Sequence, residues 1–380
     1  MGTRVLVVGA GVAGSTLAYW LARQGMDTTV VERGQGQRSS GNPVDVRGPA
    51  LAVVEQMNLL PRLRQAATLA TTLSVVDGRG RRIGWIPTQA SASDMEIPRS
   101  DLAAILARAG HDHAEFVYDD SVVALNDDGR GVDVTFERSA PRRFDLVAGA
   151  DGLHSRVRRL VFGPEAQFVE HLGMYIATTT LDEPAADPQT VLLHNAPGRA
   201  VAVHPATGRE GAAFIFRHGP LADVTDRDPQ HHKQLVTAAY AGMGWWVPEL
   251  LERVRATDDL YFDSVSRVRI DTWSRGRTVL VGDAASCTSL FGEGSSMAIV
   301  GAATLAEALA AEPSDPTTAL RRYEHSHRRQ VGRHQRGVAL ASHLLVPATR
   351  SGTIARNTAL RLSPIIAAAR RASRRSDGTA

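Results

Sequence analysis

Cysteine is almost absent from this chain: Cys287 is the only one in 380 residues, so no internal disulfide can form, and a reducing, cytoplasmic setting is the expectation. Lysine is as scarce. Lys233 is the single lysine among 43 basic residues and lies outside any recognisable motif, which weighs against Schiff-base chemistry and against a phosphate-loop lysine. No apolar run approaches the roughly 20 residues that span a bilayer, so no transmembrane segment is expected. The formal charge of +3 is too small to suggest a nucleic-acid partner. Leu6 stands where a myristoylation signal needs Ser or Thr. No Ser-His-Asp or metal-ligand spacing occurs; His231-His232 and His325 with His327 read as surface helix residues, and no metal is expected. Internal repeats and long low-complexity linkers are missing too.

What is present begins at the first residues. Val5 to Val8, the glycine run Gly9-Ala10-Gly11-Val12-Ala13-Gly14, an apolar-periodic stretch to Leu21 and then Thr28 to Val31 read as strand, turn, helix, strand. In such a unit the first glycine permits a tight turn, the second lets a pyrophosphate approach the backbone, and the third lets helix pack on strand. The helix N-terminus then faces the anion. Glu32 follows Gly14 by 18 residues, near the spacing of a carboxylate that holds ribose hydroxyls. An acid there disfavours a 2′-phosphate, so the resident nucleotide is not expected to be NADP.

Two more short apolar runs, Phe144 to Val147 and Thr278 to Val281, each end in a Gly/Asp/Ala turn and read as returns to the same parallel sheet. Between them Tyr175 to Leu181, Thr190 to His194, Arg199 to His204, Ala212 to Arg217 and Tyr261 to Val268 read as an inserted antiparallel sheet. A hairpin, Leu73 to Val76 with Arg82 to Ile86, is expected to join it. The fold class is therefore α/β: a three-layer Rossmann-like nucleotide-binding domain with an inserted α+β substrate domain carrying an antiparallel sheet and a C-terminal helical segment. The expected boundaries are 1–72, 98–162 and 272–330 for the nucleotide domain, 73–97 and 163–271 for the substrate domain, and 331–380 for C-terminal helices and a basic tail. That tail, Arg370-Arg371-Ala372-Ser373-Arg374-Arg375, reads as a solvated terminus, with an anionic-surface anchor as the other reading.

Five motifs occur in order: Gly9 to Gly14 with Glu32-Arg33; Asp45-Val46-Arg47-Gly48; Ile97-Pro98-Arg99-Ser100-Asp101-Leu102; Gly149-Ala150-Asp151-Gly152 with Ser155-Arg156-Val157-Arg158; and Gly282-Asp283-Ala284-Ala285 followed by Gly292-Glu293-Gly294-Ser295-Ser296. Over roughly residues 3 to 325 the chain resembles the single-component FAD-dependent monooxygenases of the para-hydroxybenzoate hydroxylase type, including the tetracycline-inactivating flavoenzymes. The resemblance implies FAD as cofactor, NADH or NADPH as a transient reductant, and O2 as co-substrate. It further implies oxygenation of an aromatic or polyketide-like small molecule through a flavin C4a-hydroperoxide.

The resemblance assigns cofactor binding to Gly9, Gly11, Ala13, Gly14, Glu32, Arg33, Arg47, Arg99, Val123, Asp151, Asp283, Gly292, Gly294, Ser295 and Ser296. Asp283 would accept hydrogen bonds from the ribityl chain, and the amides from Gly292 to Ser296 would meet pyrophosphate or the flavin ring. For Arg47 and Arg99 the plain alternative is a surface ion pair. Asp151 and Ser155 also fit an ordinary helix start with Ser155 as N-cap. Tyr175, His194, His204, Phe214 and Arg217 are the candidate substrate lining, and Trp245-Trp246 reads either as an aromatic lid or as core. No catalytic side chain is assigned, because the cofactor carries the difficult step.

Departures from the resemblance cluster in one place. Ser286 and Leu290 stand where many relatives have His and Pro, and the segment up to Gly292 is one residue short. A flavin halogenase shares Gly84-Trp85-Ile86-Pro87 in part, without the full tryptophan motif or the early lysine. An FAD-dependent reductase or dehydrogenase of a biosynthetic intermediate fits the same fold, as does a non-catalytic flavin- or ligand-binding partner protein.

Overall fold

Continuous β-branched runs flanked by glycines make strands buried on both faces, and the first of them seeds the larger of two compact units. The computed structural model describes residues 2–35, 43–88, 91, 93–181, 187–206, 209–221, 228–290, 293–334 and 338–362. The first unit comprises Met1–Ala67, Ser93–Leu172 and Val265–Val338; the second comprises Thr68–Ala92, Gly173–Ser264 and Ala339–Ala380.

In the first unit Arg4–Val8 is central to a six-stranded sheet. It pairs in parallel with Leu146–Gly149 on one side and Asp27–Glu32 on the other. Glu115–Tyr118 extends the sheet beyond Asp27–Glu32, and Thr278–Leu280 extends it beyond Leu146–Gly149. Only the edge pair Ser274–Arg275 with Thr278–Leu280 is antiparallel. Val5, Leu6 and Val7 are wholly inaccessible, as layers on both faces require.

The expected strand 144–147 divides in the structure. Phe144 closes a three-stranded antiparallel meander of Val122–Asp127, Val132–Phe136 and Arg142–Phe144, and the parallel strand starts at Leu146. One apolar run contains both because Phe144 and Leu146 are buried in the same core while the chain changes sheets between them.

The helix Val12–Arg23 packs against Gly294–Ala311, which in turn packs against Pro316–His334. Gly294–Ala311 is long and apolar enough to cross a membrane by composition, but two thirds of it is buried among its neighbours. Small residues permit that packing. A Cβ at Gly301 would lie 2.6 Å from Nε2 of His327. His327 is therefore a core residue, 1% exposed and stacked on Tyr323 with ring centroids 5.9 Å apart, not the surface residue expected from its arginine-rich surroundings.

The second unit is built on a seven-stranded sheet whose core strands run Val169–Leu181, Arg209–Arg217, Arg199–Ala206 and Thr190–Ala196. The hairpin Thr72–Val76 and Arg82–Pro87 does join it, but Thr72–Val76 pairs with Thr190–Ala196 in parallel. The sheet is thus mixed rather than wholly antiparallel. One face is covered by Pro229–Tyr240 and Val247–Ala256, with Tyr240 donating its hydroxyl to the Ala200 carbonyl at 2.7 Å. Burial raises the Tyr240 pKa far above its usual value, so it serves as a neutral structural donor.

Candidate functional site

The glycine fingerprint closes as its residue types demand. Gly9 has φ +106°, and a Cβ there would come within 2.6 Å of the Ala150 carbonyl oxygen; a Cβ at Gly14 would overlap the Gly9 carbonyl. At Gly11, by contrast, a Cβ meets nothing within 4 Å. Gly11 is the N-cap of Val12–Arg23, and no side chain caps that end. The first-turn amides are left for an external acceptor, with open space before them. Glu32, at its strand end, accepts from the Ala10 amide at 2.9 Å and the Gly34 amide at 2.7 Å. A carboxylate has about four acceptor positions, so this anchoring leaves capacity for ribose hydroxyls. Arg33 follows as an exposed residue.

The distant segment meets this end of the sheet. Gly282 has φ +62°, and a Cβ there would lie 2.7 Å from that of Ala13, so the turn after Thr278–Leu280 touches the first turn of Val12–Arg23. Asp283 then opens the short helix Asp283–Ser286, half-buried. Its carboxylate lies 3.6 Å from where a Cβ on Gly294 would sit. Among the described residues nothing bonds the Asp283 side chain. Gly294 begins the second long helix of the site, again with no side-chain cap. Ser296 is buried and locked: its hydroxyl donates to the Asp45 carbonyl at 3.0 Å and accepts from the Arg47 amide at 3.1 Å. Ser295 precedes it on the first turn, and Gly292 lies outside the described residues.

Arg47 is held by an ion pair with Asp45, as the plain alternative anticipated. Burial nevertheless pushes the Asp45 carboxyl up to about 6, against the pull of Arg47. Arg99 differs. It is half-buried at the start of Arg99–His111, and no described residue bonds its guanidinium. A partly desolvated cation without a protein partner fits an anionic or carbonyl-bearing ligand. Val123 sits on the bulge that shifts the register between Val122 and Ala124.

Asp151 shows a second use of a motif residue. Its carboxylate accepts from the Ser155 hydroxyl at 2.6 Å and from the amides of Arg156 and Val157, while Ser155 accepts from the Arg158 amide at 2.9 Å. The two residues jointly cap Arg156–Val161, and burial raises the Asp151 pKa. Arg158, fully buried, donates to the Ala284 carbonyl at 3.0 Å and to the Leu153 carbonyl at 2.6 Å. It ties the Asp-Gly segment to the Gly-Asp-Ala-Ala segment. Only its place in the motif hinted at this; the span of 126 residues between donor and acceptor is invisible in a linear reading.

The candidate lining residues of the second unit divide by sheet face. Tyr175 and Phe214, with 1% and 0% exposure, pack beneath the unit's own helices. His194 lies on that face as well, opposite Val201, bonding the Val76 carbonyl at 3.2 Å and lying 5.5 Å from the Trp245 ring. These three are core, which corrects their expected role. Trp245 packs on the same core, and Trp246, stacked on it, is exposed. His204 and Arg217 lie on the opposite face, paired with Gly211 and Met174. Arg217 is occupied, donating to the carbonyls of Val346 at 2.8 Å and Ser342 at 3.0 Å.

A parallel sheet with uncapped helix N-termini, the strand-end carboxylate of Glu32 and an unbonded Asp283 at one end fits a dinucleotide-binding protein, and residues 2–336 match the FAD binding domain family, to which the chain belongs. It is 31% identical to a flavin-dependent monooxygenase of Legionella longbeachae over 351 residues, 90% of each chain. An uncharacterised protein of Mycobacterium tuberculosis is 42% identical over 320 residues, 82% of this chain and 86% of the other. Among solved structures, tetracycline destructase Tet(55) superposes with a TM-score of 0.82 at 29% identity, covering 94% of this chain and 95% of that one. The protein is an FAD-dependent monooxygenase.

Proposed function

We propose that the protein inserts one atom of O2 into an aromatic or polyketide-like molecule, with NADH or NADPH as a transient reductant. The observation that carries this reading is the near-complete coverage shared with tetracycline destructase Tet(55) and with the Legionella monooxygenase. Bound FAD would supply the redox and oxygen-activating chemistry. The chain's own residues bind and orient. The open first turn after Gly11 and the helix start at Gly294 and Ser295 would hold the pyrophosphate, Glu32 the ribose, Asp283 the ribityl hydroxyls, and Arg99 a flavin or phosphate oxygen. Arg33 and Val123 would border the adenosine end. Arg47, anchored on Ser296 through its amide, would border the flavin. Asp151 and Arg158 would act by holding the segments in place.

The substrate would lie against the sheet face of the second unit opposite Pro229–Tyr240 and Val247–Ala256. Ile176, Thr178, Ala202, His204 and Ile215 share that face by register. Their small and apolar side chains suit a flat, fused-ring molecule. A reducing, cytoplasmic setting goes with this reading, since the single cysteine, Cys287, leaves no internal disulfide to form.

The test is turnover of the FAD-loaded protein with NADH or NADPH over a panel of tetracyclic and phenolic polyketides under labelled oxygen. Substrate-dependent nicotinamide oxidation with one labelled oxygen atom in the product is the expected result. Product formed without O2 would overturn the reading in favour of a reductase. Failure of every ligand to accelerate flavin reduction would favour a binding protein.

A further inference from the structure

Charge is distributed unevenly along this chain in a way the flavin site does not use. Residues 339–380 hold seven arginines and one aspartate, while the whole chain carries only +3; the preceding residues are therefore net acidic. The same 42-residue stretch has no Phe, Tyr or Trp. Its described part is a pair of helices, Val338–Leu345 and residues 350–362, joined through Arg356, which donates to the Leu344 carbonyl at 3.2 Å.

These helices expose apolar side chains. Leu340 and Leu344 stand one turn apart on the first, at 68% and 51% exposure, and Ile354 and Leu362 on the second, at 66% and 47%. Ile354, Thr358, Arg361 and Leu362 form the outer face of the second helix at its 3.6-residue period, opposite the inner residues Thr353, Arg356 and Leu360. The strand Arg82–Pro87 continues the surface: a Cβ on Gly84 would lie 2.9 Å from that of Leu360, and Ile86, on the same strand face as Gly84, is exposed. Arg79, Arg81 and Arg82 precede Trp85, and Arg350 and Arg361 flank Ile354, all of them exposed. Five of the nine large hydrophobic residues exposed among the described ones, Ile86, Leu340, Leu344, Ile354 and Leu362, thus belong to this one region of the second unit.

We propose that this region is a peripheral membrane-docking surface for an anionic phospholipid bilayer. Exposed leucine and isoleucine interleaved with arginine is the chemistry that seats a helix in a headgroup layer. A basic, acid-poor segment adds attraction to anionic lipid. A nucleic acid would use the arginines but would leave the aliphatic face uncovered, and the segment offers no aromatic side chain on which bases could stack. The orientation would bring a lipophilic substrate to the enzyme from the bilayer.

Cosedimentation of the FAD-loaded protein with vesicles tests this. Phosphatidylglycerol–phosphatidylcholine vesicles should bind it at least about tenfold better than phosphatidylcholine alone, with added salt weakening the difference. Leu344→Glu with Ile354→Glu should reduce binding about tenfold or more, and Arg350→Gln with Arg361→Gln should reduce it several-fold, with the flavin absorbance spectrum unchanged as the check on folding. Absence of binding, or equal binding to neutral vesicles, would overturn the proposal. So would a solution dimer that dissociates in the Leu344→Glu, Ile354→Glu variant, which assigns the surface to a second copy of the chain. Preferential retention on single-stranded RNA would likewise overturn it.

Discussion

The two units of this protein bury their cores by opposite means. In the first, a bare backbone approaches its neighbour: Gly9 against Ala150 and Gly282 against Ala13 bring segments 141 and 269 residues apart into contact where a side chain would prevent it. In the second, side chain meets side chain, with Phe214, Phe216 and Tyr240 packed edge to face under a helical cover. Close backbone approach needs particular residues at particular positions, so it leaves a motif. Packing of large apolar groups needs only suitable volume and leaves a pattern.

That contrast can be broken most forcefully at Gly14. Gly14→Val should cost at least about 4 kcal/mol and abolish FAD retention, since the new side chain overlaps the Gly9 carbonyl; chemical denaturation and flavin fluorescence would read both. Phe214→Ala comes next. As a core residue it should lose about 3–5 kcal/mol of stability while FAD affinity stays unchanged, and a substrate KM altered without a stability loss would restore it to the lining.

Asp45 gives a pH signature confined to the first unit. Its pKa is raised in the folded state to about 6, so the folded chain holds a proton that the unfolded chain has released. Stability should therefore fall as pH rises from about 4 to about 6, by up to about 3 kcal/mol, and stay level above. Asp45→Asn should flatten that slope in denaturation curves taken across the window. The smallest effect is expected at Ser155: Ser155→Ala removes one of the two caps on Arg156–Val161 and should cost about 1 kcal/mol, with Asp151 retaining its amide contacts. A loss as large as that of Phe214→Ala would show that the cap organises more than its helix.

Legibility followed the same division. The tight turn at Gly9, the close packing at Gly14 and the strand-end place of Glu32 were readable because each answers a local demand that few other residues meet. Tyr175, His194 and Phe214 were misassigned because alternation along a strand shows that two faces exist without showing which face the helices cover. His327 was misplaced for a related reason. A histidine in an arginine-rich helix reads as surface until the glycine it packs against, Gly301, is found on another helix.

By itself the sequence determined the nucleotide-binding βαβ unit, the flavin-binding motifs in their order, and the arginine-rich, aromatic-free end of the chain, all of which rest on residue identity at short range. Only the tertiary structure decided that Arg158 joins two of those motifs, that Asp151 caps a helix, that the second sheet is mixed, and that Leu344, Ile354 and Ile86 stand exposed in one region. Those facts depend on contacts between residues far apart in the chain and on the side to which a sheet or helix turns, and neither is encoded in spacing alone.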